Sequence, residues 1–262
     1  MRPDPVDAGR VAARLSPPLA GPVLWLPETG STNDEAVRRA REDAPEGLVI
    51  GADHQTAGRG RQGRTWRSEP GDALLVSIVL RPAVAPEAAG PLAVVVALGL
   101  ADALDALGHG PAEIVWPNDV LVGGRKVAGI LVELSTERDR VRWAVAGIGV
   151  NVRAAPDVPD ARWPPGSLAD DGAPPAREDL LVATLRALGR RYSEWLARGP
   201  GAPVAAFAAR DALRGRWVRV SLADGVLEGR ATGLDELGRL RVAGPDGERA
   251  VSAGEVVRVG AS

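Results

Sequence analysis

Gly58-Arg59-Gly60-Arg61-Gln62-Gly63-Arg64-Thr65-Trp66 interleaves three arginines with three glycines. Glycine lets a backbone take up positive φ and approach a ligand closely, and arginine adds permanent charge on a planar donor fork. Such a segment suits an anion, although by itself it reads equally well as a solvated basic turn. An apolar run, Leu48-Val49-Ile50, precedes it and another, 73–80, follows it, so it is expected to connect two strands.

Composition narrows the anion. The 262 residues, 45% apolar and 25% charged, suit one large domain or a large one with a small one. A net charge of −2 argues against a general nucleic-acid binder, so the basic segment is expected to face a small, local anion. Cysteine is absent, which excludes disulfides, thiol nucleophiles and thiolate metal sites. Only His54 and His109 remain as imidazoles, and no structural metal is expected. The N-terminus lacks the apolar core of a signal peptide, and no apolar run is read as approaching the roughly 20 residues of a bilayer span. The simplest expectation is a cytoplasmic protein. Of its 32 basic residues, Lys126 is the single lysine. In a chain that uses arginine wherever charge suffices, a lone lysine suits a tight pocket where a compact ammonium contacts a reacting oxygen, though a surviving surface lysine reads the same.

In chain order, 6–15 has a weak helical pattern that ends at Ser16-Pro17-Pro18. With about 20 residues before the first strand, no helix-turn-helix module is expected at this end. The run 23–26 reads as a strand, and Ser31-Thr32-Asn33-Asp34-Glu35 as a helix start in which Thr32 and Glu35 have capping-box spacing. Leu48 to Asp53 is a strand with Gln55 at its end. Ala73 to Leu80 is nearly continuous apolar sequence, as for a strand covered on both faces. Pro91 to Leu107 reads as a long core helix. Ile114 to Val122 reads as a strand broken by Trp-Pro-Asn-Asp, then Gly123-Gly124 turns the chain into a return strand, 125–134. That hairpin brings Asn118, Asp119 and Lys126 together. A third strand, 142–151, carries glycines that allow close backbone approach and ends in Asn151, which offers both a donor and an acceptor. After a proline-rich excursion, helices are expected over 176–198, with Leu181, Leu185, Leu188, Tyr192 and Trp195 on one stripe, and over 204–213. From Arg214 the short runs 217–220, 226–231, 240–242 and 256–259 read as parts of a small five-stranded barrel.

Ser31-Thr32-Asn33, Gln55 to Trp66, Trp116-Pro117-Asn118-Asp119, Arg125 to Glu133 and Gly147-Ile148-Gly149-Val150-Asn151 stand in the order and spacing of the bacterial biotin protein ligases. From about Val23 to the C-terminus the chain resembles the class of that family without an N-terminal repressor domain. The resemblance implies an α+β fold, a mixed sheet flanked by helices with an SH3-like C-terminal barrel, divided as 1–213 and 214–262. It implies ATP-dependent activation of biotin to biotinyl-5′-adenylate, with Mg²⁺, and transfer to a lysine of a biotin carboxyl carrier domain. Neither nucleic acid nor membrane is an expected partner, and a monomer or weak homodimer is expected.

The same resemblance assigns roles. Lys126, Arg59 and Arg61 are the implied catalytic residues. Biotin falls to Ser31, Thr32, Asn33, Gln55, Arg59, Gly60, Arg61, Lys126, Gly129 and Leu131, and ATP or the adenylate to Arg61, Arg64, Trp66, Asn118, Lys126 and Asn151. No protein metal site is implied. One position departs from the pattern: Val115 stands where the family usually has a phosphate-contacting lysine, so another cation, Arg125 or Arg64, would have to serve. Lipoate ligases and octanoyltransferases share this fold, but the glycine-arginine loop and the C-terminal barrel favour biotin. A non-catalytic biotin sensor is the remaining alternative.

Overall fold

β-Branched and aliphatic runs separated by glycine and proline turns build a sheet first and hang helices on it. The computed structural model describes residues 4–159 and 161–260. A short helix α1 (Ala8–Ala12) precedes β1 (Val23–Thr29), α2 (Thr32–Arg41), β2 (Val49–Gln55) and β3 (Ala73–Leu80). Next come α3 (Leu92–Ala106), β4 (Ala112–Val115), β5 (Asp119–Val122), β6 (Arg125–Glu137) and β7 (Arg140–Asn151). Helices α4 (Arg177–Arg198) and α5 (Gly201–Phe207) lead to β8 (Trp217–Leu222), β9 (Gly225–Leu234), β10 (Leu240–Gly244), β11 (Gly247–Val251) and β12 (Glu255–Val259).

The first seven strands form one mixed sheet in the order β1-β2-β3-β7-β6-β5-β4. β1 and β2 run parallel, joined through α2, and the other neighbours are antiparallel. Every residue of β3 is buried, as its unbroken apolar sequence requires. One face of the sheet packs on Ala36 and Ala40 of α2 with Ile50, Val79 and Val145. The other face packs on α3 and α4 in the main core. These two helices meet closely at Gly99, where a Cβ would lie 2.7 Å from the Leu188 Cα. The segment Pro86–Ala106, which includes α3, is apolar enough over its 21 residues to cross a membrane. That is a longer apolar run than the sequence was read to hold, but 72% of its most apolar window is buried inside the protein, as a core helix should be.

The second sheet is antiparallel, β11-β10-β9-β8-β12, consistent with an SH3-like unit. Val218, Val220, Ala231, Leu240, Val242 and Val256 form its buried face. It is joined to the first unit through the Trp116 indole, which donates to the Gly238 carbonyl at 3.0 Å.

Three local expectations are corrected. Ser31, not Thr32, is the N-cap of α2, and it makes no side-chain cap bond. The Thr32 hydroxyl is instead committed to Gln55 across the sheet. Trp-Pro-Asn does not interrupt one strand but turns the chain back, so that Val115 pairs with Asp119 in an antiparallel β4/β5 hairpin. Pro117 has no N–H to continue a ladder. The helix expected over 204–213 runs from 201 and ends at Phe207, because the chain beyond it bridges to β4 at Ile114 and Asp211. The fifth small strand, Gly247–Val251, is charged and exposed along most of its length, which hid it from an apolar pattern.

Candidate active site

A cavity of about 560 Å³ opens where α2 begins and β2 ends, over β6 and β7. All the site residues expected from the sequence line it: Ser31, Thr32, Asn33, Gln55, Arg59, Gly60, Arg61, Arg64, Trp66, Asn118, Lys126, Gly129, Leu131 and Asn151. Its three regions differ in chemistry.

At the α2 end Ser31, Thr32, Asn33 and Gln55 line the cavity with polar, neutral groups. Gln55 Oε1 accepts from the Thr32 amide at 2.7 Å and from its hydroxyl at 2.9 Å. Ser77 Oγ lies 2.8 Å from Thr32 Oγ1 and 2.6 Å from Asn33 Oδ1. The Asn33 amide donates to Glu133 Oε2 at 2.9 Å and to the Leu131 carbonyl at 3.3 Å. Such a closed network holds each rotamer, as recognition of a small polar ring requires.

The middle is a platform without side chains. Gly129 of β6 and Gly149 of β7 are paired across the ladder, and the Trp66 indole lies against both. A Cβ at Gly149 would come within 2.7 Å of Trp66 Cε2, and one at Gly129 within 3.1 Å of Cζ3. Among the described residues the Trp66 Nε1 and Asn151 Oδ1 have no partner although both are buried, leaving a donor and an acceptor for a ligand. The Asn151 amide is held by the Gly166 carbonyl at 2.9 Å.

The far end is cationic. Asp119, 4% exposed, accepts Lys126 Nζ on one carboxylate oxygen at 2.7 Å and Arg162 Nη2 on the other at 3.1 Å. Arg61 reaches Asn118 Oδ1 at 3.5 Å and the Gly254 carbonyl at 3.4 Å. Burial lowers the pKa of both the Arg61 and Arg162 guanidiniums, although Asp119 and Glu255 pull in the opposite direction. Desolvated cations of this kind gain from an arriving anion. The Asn118 amide donates to the Ile130 carbonyl at 3.1 Å, so this side chain also clamps the β4/β5 turn onto β6.

The glycine-arginine segment is itself a small hairpin between β2 and β3. Arg59 and Thr65 form a bridge, and Gly60 N–H donates to the Arg64 carbonyl at 2.7 Å. Its tip needs left-handed backbone at Gln62 (φ 55°) and Gly63 (φ 75°). Arg59 pairs with Glu133 at 2.6 Å and Asp34 at 2.7 Å. Arg64 pairs with Glu255 at the start of β12, so the C-terminal sheet forms one wall of the cavity.

Several residues in or directly behind the cavity wall escaped the sequence reading. Ser77 was the one polar residue in an apolar strand, a signal that was present. Arg162 and Trp163 sit in the proline-rich excursion, and Glu255 and Val257 in the small sheet, where sequence distance hides them.

The mixed sheet and its cavity belong to the biotin and lipoate protein ligase class. The profile of the "Biotin/lipoate A/B protein ligase family" matches residues 25–151, and that of the "Biotin protein ligase C terminal domain" matches residues 215–259. The biotin--[acetyl-CoA-carboxylase] ligase of Mycobacterium tuberculosis is 38% identical over 88% of this chain and 87% of its own length. The "Bifunctional ligase/repressor BirA" of Bacillus spizizenii is 32% identical over 89% of this chain and 73% of its own. The Aquifex aeolicus biotin protein ligase in complex with biotin and ATP superposes with a TM-score of 0.75, at 25% identity, over 89% of this chain and 96% of that one. The chain belongs to the biotin protein ligase family.

Proposed function

We propose that the protein activates biotin with ATP and transfers it to one lysine of a biotin carboxyl carrier domain. The observation that supports this most strongly is a single cavity with a neutral hydrogen-bonding end, a flat glycine platform and a cationic end around Lys126. In the first step a biotin carboxylate oxygen bonds to the α-phosphorus of ATP, and the bond from that phosphorus to the β-phosphate bridging oxygen breaks, releasing pyrophosphate. In the second the carrier amine attacks the acyl carbon, AMP leaves and the amine loses a proton to solvent.

The residues fit these tasks by charge and shape. Ser31, Thr32, Asn33 and Gln55 hold the ureido ring, and Arg59 and Gly60 close over it. Gly129 and Leu131 lie beneath the ligand. Trp66 and Asn151 address the adenylate, with Arg61, Arg64 and Asn118 toward the phosphates. Lys126 stands between carboxylate and α-phosphate, two anions that repel until a fixed cation offsets their charge. Positioning on a rigid platform contributes most of the rest.

Mg²⁺ fits as an ion carried on the triphosphate. The carboxylates lining the cavity are Asp119 and Glu255, each already paired with cations, and magnesium keeps phosphate oxygens and water among its ligands. When bound it supplies charge neutralisation on the leaving pyrophosphate. We take residues 1–213 as the catalytic unit and 214–262 as the C-terminal unit that completes its wall.

The test is exchange of labelled pyrophosphate into ATP with biotin, lipoate and octanoate in parallel. Exchange with biotin alone is expected; exchange with lipoate or octanoate instead, or none beside tight biotin binding, rejects the proposal. The arginines of the loop give a second measurement. Trypsin cleavage at Arg59, Arg61 and Arg64 is expected to slow when biotin is bound, because the hairpin then closes on ligand. Unchanged cleavage removes the loop from biotin binding.

A further inference from the structure

Val115 leaves the phosphate end of the cavity with one basic side chain fewer than the resemblance leads one to expect. It is fully buried in the main core, so a lysine there would have to thread its ammonium through apolar packing. The other cations near the cavity differ in how free they are. Arg125, one substitute suggested by sequence, is turned away to Asp171 at 2.8 Å and Asp170 at 3.4 Å. Arg59 is held by two carboxylates. Arg64 is 61% exposed and paired with Glu255.

Arg162 shares with Arg61 a desolvated place on the cavity wall. Its side chain is 17% exposed, lines the cavity, and is steered there by a hydrogen bond from Nη1 to the Val256 carbonyl of β12. Its Nη2 shares Asp119 with Lys126, so the two cations flank one carboxylate. Its Nε is buried with no partner among the described residues. A guanidinium held in this way has a donor to spare and a bond to Asp119 that a stronger anion can replace.

We propose that Arg162 is a phosphate-binding residue at the nucleotide end of the cavity, exchanging its Asp119 contact for a polyphosphate oxygen. The inference rests on the adenylating function proposed above. After the exchange Asp119 keeps Lys126 as its partner, so the nucleotide arrives without leaving a buried charge unpaired. The carbonyl of Val256 keeps the guanidinium in place throughout, which gives the C-terminal sheet a part in nucleotide binding.

The test compares the full-length protein with Arg162→Gln and Arg162→Lys in pyrophosphate exchange, alongside calorimetric titration with inorganic tripolyphosphate and with biotin. Losing one charge-assisted contact is expected to raise the KM for ATP about tenfold and weaken tripolyphosphate binding to a similar extent. Biotin affinity is expected to stay within about twofold, and the lysine variant to recover part of the loss. An ATP KM and a tripolyphosphate affinity both unchanged in Arg162→Gln overturn the proposal. So does a fall in kcat with both KM values unmoved, the mark of a residue that merely braces Asp119. Failure of the wild-type protein to exchange pyrophosphate would reject the adenylating function instead, and the tripolyphosphate titration would still decide on Arg162.

Discussion

Lys126→Ala is expected to slow biotin-dependent pyrophosphate exchange by about 10²–10³-fold, the range for loss of one preorganised group that meets developing charge. The fold should survive, because Asp119 keeps Arg162 at 3.1 Å and is not left as an isolated buried carboxylate. Lys126→Arg should fall between the two. A planar fork on a longer stem cannot place its charge where a point ammonium sits 2.7 Å from Asp119. Exchange rates read beside thermal unfolding separate the two effects, and an alanine variant at full rate would refute the assignment.

Gly147→Ala should damage the proposed biotin end with equal force. A Cβ on Gly147 would stand 2.0 Å from Asn33 Oδ1 and 2.8 Å from its Cγ. The amide cannot swing aside freely, since Asn33 is 4% exposed and bonded to Ser77, Glu133 and the Leu131 carbonyl. Accommodating the methyl therefore displaces the first turn of α2 or bends β7. A stability loss of about 1–3 kcal/mol is expected from overpacking, with biotin affinity weakened at least about tenfold. Calorimetry with biotin checks this. Wild-type affinity in the variant would mean that Asn33 does not hold the ligand.

Much of this arrangement could be read from the chain because the relevant signals are local. The apolar run of β3 announces a strand covered on both faces, and the glycines of β7 announce close approach. What the sequence could not say is which groups approach. Gly147 admits the Asn33 amide, while Gly149 with Gly129 admits the Trp66 ring, and that division depends on register between distant strands. The capping-box spacing at Thr32 misled for the same reason: a hydroxyl that could close a helix turn finds Gln55 and Ser77 across the sheet instead. The β4/β5 hairpin, the early end of α5 and the polar strand β11 lay outside the reach of periodicity. Arg162 and Glu255 are separated by 93 positions of chain yet line one cavity, a proximity carried by the packing of two sheets.

A ligase that builds an acyl-adenylate manufactures a reagent that labels any free amine within reach, its own surface included. Here the chain offers that reagent almost nothing. Lys126 is the single lysine, and its ammonium is engaged by Asp119 at 2.7 Å. The arginines that supply the remaining basic charge carry guanidiniums, which do not acylate under neutral conditions. The pairing at the cationic end of the cavity thus also holds the lone lysine side chain back from self-modification.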